Sequence, residues 1–118
     1  MSIGSFSEAG LAPVAYVQVE ADGTATSSNS GIAVTRTQAG AYNLVLPPDL
    51  CLPDKEAYPV VTLWGTPGAT INITPLGSDD QRFYLVNVVN VATAQLADSK
   101  FSFVLFRTIV PLGNNVPA

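Results

Sequence analysis

The sequence predicts an all-β domain: an antiparallel β-sandwich, jelly-roll-like, of seven or eight strands. Three observations predict it. From Val14 onward Val, Ile, Thr, Tyr and Phe dominate, the residues that fit a pleated, half-buried surface. Gly, Pro, Asn and Asp punctuate that texture at short intervals, as turns between short strands require. No stretch sustains the 3.6-residue apolar spacing of an amphipathic helix.

The elements follow in order. Residues 1–12 are small and polar with scattered apolar anchors, Ile3, Phe6 and Leu11, and read as an N-terminal arm closed by Pro13. The domain proper is expected over 13–111. Its first strand, Val14–Glu20, ends at Asp22-Gly23, a tight-turn signal. The polar stretch TATSSNSG is part strand, part loop. Ile32–Thr37 and Ala41–Leu46 form a hairpin. LPPDLCLPDKEAYP carries four prolines in fourteen residues and must cross irregularly, because Pro cannot continue a ladder. Tyr58–Trp64 and Thr70–Thr74 are joined through GTPGA. LGSDDQ turns the chain into Arg82–Val91, and Phe101–Val110 is last. VATAQLADSK, between these two, is the best helical candidate and equally a loop. Residues 112–118 form an exposed or partner-contacting tail.

The hairpin register can be derived. A two-residue loop at Ala39-Gly40 would set Tyr42, Leu44 and Leu46 on the face opposite Ile32 and Val34. A three-residue loop, Gln38-Ala39-Gly40, pairs Arg36 with Tyr42, Val34 with Leu44 and Ile32 with Leu46. All the large apolar residues except Val45 then share one face, as a register fixed by burial requires. Gly40 falls at the left-handed loop position. Arg36 is thereby set across from the Tyr42 ring, within reach of a cation–π contact.

Composition narrows the function. The 118-residue chain carries a net charge of −4, with a pI near 4.3. Nucleic acid and membrane insertion are therefore not expected, since polyanions attract Lys and Arg and no apolar run is long enough to span a bilayer. Only 12% of residues are charged, and mean hydropathy is +0.31. Either neutral polar residues solvate the surface, or other subunits cover much of it. The last two strands favour the second reading, because both are apolar on both faces. Phe83, Leu85, Val89 and Val91 alternate with Tyr84, Val86 and Val88. Phe101, Phe103, Leu105 and Ile109 alternate with Val104, Phe106 and Val110. One face of each strand would meet water in an isolated sandwich. Phe83, Leu85, Phe101, Phe103 and Phe106 are the expected oligomer interface, with Ile3 and Phe6 as partner-contacting anchors on the arm.

Chemistry is sparse. There is no histidine, the commonest general base and metal ligand. Cys51, the single cysteine, has no imidazole to activate it and is expected to be a small buried apolar residue. The nine carboxylates sit mostly at turns. Asp79-Asp80, and the set Asp49, Asp54 and Glu56, lack the alternating oxygen-ligand loop of a calcium site and read as solvated turns. No catalytic residue, cofactor or metal is expected, and a hydrolase using paired carboxylates ranks third. Tyr58 and Trp64 are core, subunit contacts, or an aromatic sugar platform. The start at MSIGSFSEAG shows neither basic nor apolar signal-peptide regions, so synthesis in a cytoplasm is expected.

AYVQVEADGTAT followed by GIAVTRTQAGAYNLVL resembles a β module of phage and bacterial surface proteins. That module has a strand ending in V-x-ADGT, a glycine, then V-T-R-T-x-x-G-x-Y-x-V. The matching positions are Val19, Gly23, Gly31, Val34, Thr35, Arg36, Thr37, Gly40, Tyr42 and Leu44. Such modules cap tail-fibre and collagen-like chains as trimeric β-sandwich heads. The resemblance implies a non-enzymatic virion structural protein, a homotrimer made in a bacterial host's cytoplasm. Because no shaft repeat precedes the module here, a capsid decoration (cement) protein is favoured over a fibre tip. Its partners would be itself and a capsid or fibre protein. The alternative is a bacterial-surface or host-receptor-binding adhesin that takes a glycan on Tyr58 and Trp64.

Overall fold

The computed structural model describes residues 10–28, 31–52, 56–77 and 81–109. Ile3, Phe6, the Asp79-Asp80 pair, Asp54 and the 112–118 tail lie outside them. Among the described residues nine strands run in chain order: β1 Gly10–Val19, β2 Ala25–Ser28, β3 Ala33–Gln38, β4 Ala41–Val45, β5 Ala57–Trp64, β6 Ala69–Gly77, β7 Arg82–Asn90, β8 Gln95–Leu96 and β9 Lys100–Ile109. They form two antiparallel sheets packed face to face. Sheet A has the order β2-β1-β9-β5, and sheet B the order β3-β4-β7-β6 with the short β8 beside β7.

The core lies between the sheets. Sheet A contributes Ala15, Val17, Val19, Phe101, Phe103 and Leu105; sheet B contributes Tyr42, Leu44, Tyr84, Val86 and Val88, all buried. Tyr42 meets Phe101 edge-on at 4.9 Å between ring centroids, and Tyr84 meets Phe103 at 5.4 Å. These pairs stitch the two sheets together; the first is the edge-to-face arrangement aromatic rings prefer, and the second is tilted by 44°. The Pro-rich crossing carries the chain from sheet B to sheet A. A single 3-10 turn at Pro48–Leu50 aims Leu50 inward, and with Leu46 and Leu52 it closes one end of the core.

Three sequence expectations change. Pro13 does not close an arm before the sheet. It lies inside β1 beside a bulge between Pro13 and Ala15. Among the described residues β1 has β9 alone beside it there, since β2 pairs from Val17 onward, and an edge position next to a bulge is where a sheet accepts proline. Residues 91–100 are not helical: a turn over 91–94, capped by the Asn90 side chain on the Ala92 N–H at 3.0 Å, leads into β8. Ala94, at φ 58°, ends the turn in a conformation that a helix cannot continue. Phe101 and Phe103, expected at an oligomer interface, face the core of the chain instead. Both are fully buried in the core, and the outward face of β9 belongs to Ser102, Val104 and Phe106.

Candidate functional site: the outer face of sheet A

Strand alternation builds this face. On β9 the odd-numbered residues Phe101, Phe103 and Leu105 point inward, so Ser102, Val104 and Phe106 point outward. The ladder then fixes their neighbours. Tyr58 and Pro13 flank Phe106, Val60 and Tyr16 flank Val104, and Thr62 and Gln18 flank Ser102. Trp64 lies opposite Lys100. Among the described residues seven large apolar side chains are exposed, and five share this face: Leu11 (49%), Tyr16 (43%), Tyr58 (44%), Val60 (47%) and Trp64 (50%). Together they expose on the order of 400–500 Å², within the range of the largest apolar patch on a typical monomer, which is often functional.

The face divides along its length. The rows through Phe106 and Val104 are apolar and uncharged. The row through Ser102 is neutral and polar. Charge begins at the rims. Lys100 Nζ lies 3.4 Å from Glu20 Oε2 at one end of this face; at the other end of the sheet Arg107, which by strand parity springs from the opposite face, has Nη2 3.5 Å from Glu56 Oε1. The Trp64 indole reaches diagonally off the edge strand and donates its N–H to Ser102 Oγ. An open groove of about 290 Å³ lies between β1 and β9, lined by Tyr16, Val17, Gln18, Ser102, Phe103 and Val104.

Of the expected interface residues, Phe106 alone is on this face. Phe83 and Leu85 are half-buried on the outer face of sheet B, each flanked by its register partners, Val45 and Leu76 for Phe83, Asn43 and Thr74 for Leu85. Tyr58 and Trp64 are outward and about half exposed, which removes the core reading for both. They sit six residues apart on one strand, about 20 Å, too far to hold a single sugar ring between them.

Arg36, Gly40 and Tyr42 form a different constellation. The ladder pairs Arg36 with Tyr42 and Val34 with Leu44, with a bulge before Gln38, and Gly40 has φ 74°. These are the pairings expected for Arg36 and Val34, but Gln38 pairs with Ala41, so the loop itself is Ala39-Gly40 and the extra residue sits in the bulge at Thr37. The partner of Arg36, however, is Asp98, which the sequence did not single out. Asp98 Oδ1 accepts from Arg36 Nε at 2.9 Å and from the Gly40 N–H at 2.7 Å, and Oδ2 accepts from Arg36 Nη2 at 2.8 Å. The Tyr42 hydroxyl, 3.3 Å from Oδ1, donates to the Ala21 carbonyl at 2.7 Å and accepts from the Ser99 N–H at 3.2 Å. Bonding to Arg36, then to the Gly40 N–H, holds the Asp98 carboxyl below its ordinary range, while burial pushes the Tyr42 phenol up. A carboxylate so occupied by donors and a phenol harder to ionise make a fastener rather than an acid–base pair. It joins the hairpin of sheet B to the segment entering β9 of sheet A.

Cys51 is half-buried. Its Sγ accepts from the Arg82 N–H at 3.3 Å and lies 3.6 Å from the Pro47 carbonyl, so it ties the crossing to β7. No protein-family model, no curated protein and no solved structure matches the chain.

Proposed function

We propose that this chain is a non-enzymatic structural protein of a virus-like particle, a capsid decoration or fibre-head protein, that works as a homo-oligomer, a trimer. One observation carries the proposal: the central rows of the outer face of sheet A are apolar and uncharged, with a Lys100–Glu20 ion pair at one end. That is the anatomy of an interface, with charge depleted at the centre and present at the edge. The chain has few charges to keep such a face in water on its own. The V-T-R-T-x-x-G-x-Y pattern supports the virion assignment through the surface modules it resembles. The mechanism is passive. Leu11, Tyr16, Tyr58, Val60, Val104 and Phe106 are covered by a neighbouring subunit, and the hydrophobic effect holds the assembly.

Light scattering during size-exclusion chromatography tests the oligomer. The proposal expects a mass three times that of the 12.3 kDa chain; a stable, soluble monomer at micromolar concentration contradicts it. The flanking genes test the location. Capsid genes point to decoration, tail genes to a fibre, and secretion genes to an adhesin.

A further inference from the structure

We propose that Pro13 and Pro59 close sheet A to strand addition, so that a second copy of this chain docks on its outer face and not along its edges. The second copy rests on the assembly reading above; the closure of the edges rests on the ladders alone. Among the described strands proline occurs at three places, Pro13 in β1, Pro59 in β5 and Pro75 in β6. Each of these strands has an open side there. β5 is the last strand of sheet A and β6 the last of the main path of sheet B. Beside Pro13, β9 is the one ladder partner among the described residues, since β2 pairs with β1 at Val17, Gln18 and Val19. The central strands β4, β7 and β9 hold no proline.

The direction of the Pro59 nitrogen follows from its ladder. β5 pairs with β9 without a break from Ala57 to Trp64. In an antiparallel pair alternate residues turn their N–H and C=O to the partner strand, and the residues between turn theirs away. Proline has no N–H to give the partner, so Pro59 belongs to the set that turns away. Ala57, Val61 and Leu63 share its parity. A strand arriving at this edge would find donors at those three residues and a ring in place of one at Pro59. Apart from that ring, AYPVVTLW is an uncharged strand rich in β-branched and aromatic residues, the composition of an edge that pairs with another chain. Pro13 guards the far side of the sheet, beside a bulge that itself bends the edge. The two prolines lie at one level, Pro13 opposite Phe106 and Pro59 opposite Leu105, alongside the apolar rows of the outer face. A sheet that added strands at both edges would run its copies into an open filament. Closed at both edges, it leaves the face as the place where copies meet.

Light scattering and thioflavin T fluorescence test this on wild type, Pro59→Val, Pro13→Val and Pro48→Val, each held below its melting temperature. Valine suits an extended strand and restores the N–H. Pro48 lies in the 3-10 turn of the crossing and controls for the loss of a proline as such. Pro59→Val and Pro13→Val are expected to form dye-binding species of at least about twice the wild-type mass, growing with concentration. Pro48→Val should keep the wild-type mass. Moving the ring tests the parity. Pro59→Val/Val61→Pro again turns a proline nitrogen to the open edge and should return to the wild-type mass. Pro13→Val carries the test if Pro59→Val melts early. The inference is overturned if both valine variants keep the wild-type mass without binding dye, if Pro48→Val polymerises to the same extent, or if the moved proline leaves polymerisation unchanged. Valine variants fixed at the mass of a trimeric wild type overturn this inference and leave the assembly reading standing. Polymerising variants of a monomeric wild type would support the closed edges and contradict the assembly reading alone.

Discussion

Replacing Gly40 with Ala should cost far more than the same change at Gly65, although both glycines have nearly the same backbone conformation. Their φ angles are 74° and 72°, so the left-handed strain on an L-residue, about 1–2 kcal/mol, applies to both. The difference is space. A Cβ at Gly40 would lie 2.5 Å from the Ala97 nitrogen, 2.8 Å from the Val88 oxygen and 2.9 Å from Leu96 Cβ; one at Gly65 would have no neighbour within 4 Å. Two of the atoms at Gly40 are backbone, so the β8 segment must move. That movement strains the bonds from the Val88 N–H to the Gly40 carbonyl (2.8 Å) and from the Ala97 N–H to the Val88 carbonyl (3.0 Å), each contributing about 1 kcal/mol. The expected cost is about 3 kcal/mol or more for Gly40→Ala and about 1 kcal/mol for Gly65→Ala. For a domain of this size each kcal/mol moves Tm by about 4 °C, so the two melts should fall by about 12 °C and 4 °C. Differential scanning calorimetry measures both. Equal shifts would refute the claim that β8 presses on Gly40. Arg36→Ala should shift Tm less than Gly40→Ala, because the ion pair is more than a third exposed on the Arg36 side.

The same fastener has a pH signature. Asp98 is held below the ordinary carboxylate value of 3.8 in the fold, so its stabilisation is present above that value and is lost as pH falls through the lowered one. Thermal melts from pH 6 down to pH 2 should therefore converge for wild type and Asp98→Asn, with wild type the more stable at pH 6; a constant gap across the range would contradict this assignment. Tyr42→Phe removes the partner of the Ala21 carbonyl and of the Ser99 N–H and should cost about 1–2 kcal/mol, read as a lower urea midpoint at constant slope. Phe103→Ala should cost about 3–5 kcal/mol as a core deletion, and Phe83→Ala less than half as much because it is only partly buried; the reverse order in urea titrations would return Phe103 to an interface.

Local rules were legible in the sequence, and long-range choices were not. The pairing of Arg36 with Tyr42 and of Val34 with Leu44 could be derived from the parity of the apolar residues, although the bulge that produces it, with Gln38 paired to Ala41, could not be. The partner of Arg36 could not, because Asp98 lies 62 residues away in the chain and nothing local couples them. Its one signal was position, a carboxylate two residues before a strand in a chain with few charges. The face of β9 was ambiguous because Phe101, Phe103 and Leu105 and their neighbours Val104 and Phe106 are all apolar. In β5 the bulkier set, Tyr58, Val60 and Trp64, faces out, while Ala57, Val61 and Leu63 pack toward the core. Side-chain size misleads there, because the room inside is set by the rings of Phe101 and Phe103 on the neighbouring strand.

Sedimentation equilibrium on wild type and on the double variant Val60→Glu/Val104→Glu tests the assembly claim most directly. These residues are register partners at the centre of the outer face, so two carboxylates there would be buried unpaired in any assembly that covers it. The account predicts wild type at three times the 12.3 kDa chain mass, and a double variant that sediments as a monomer with a wild-type circular dichroism spectrum. A wild-type monomer, or a double variant that still assembles, would contradict it.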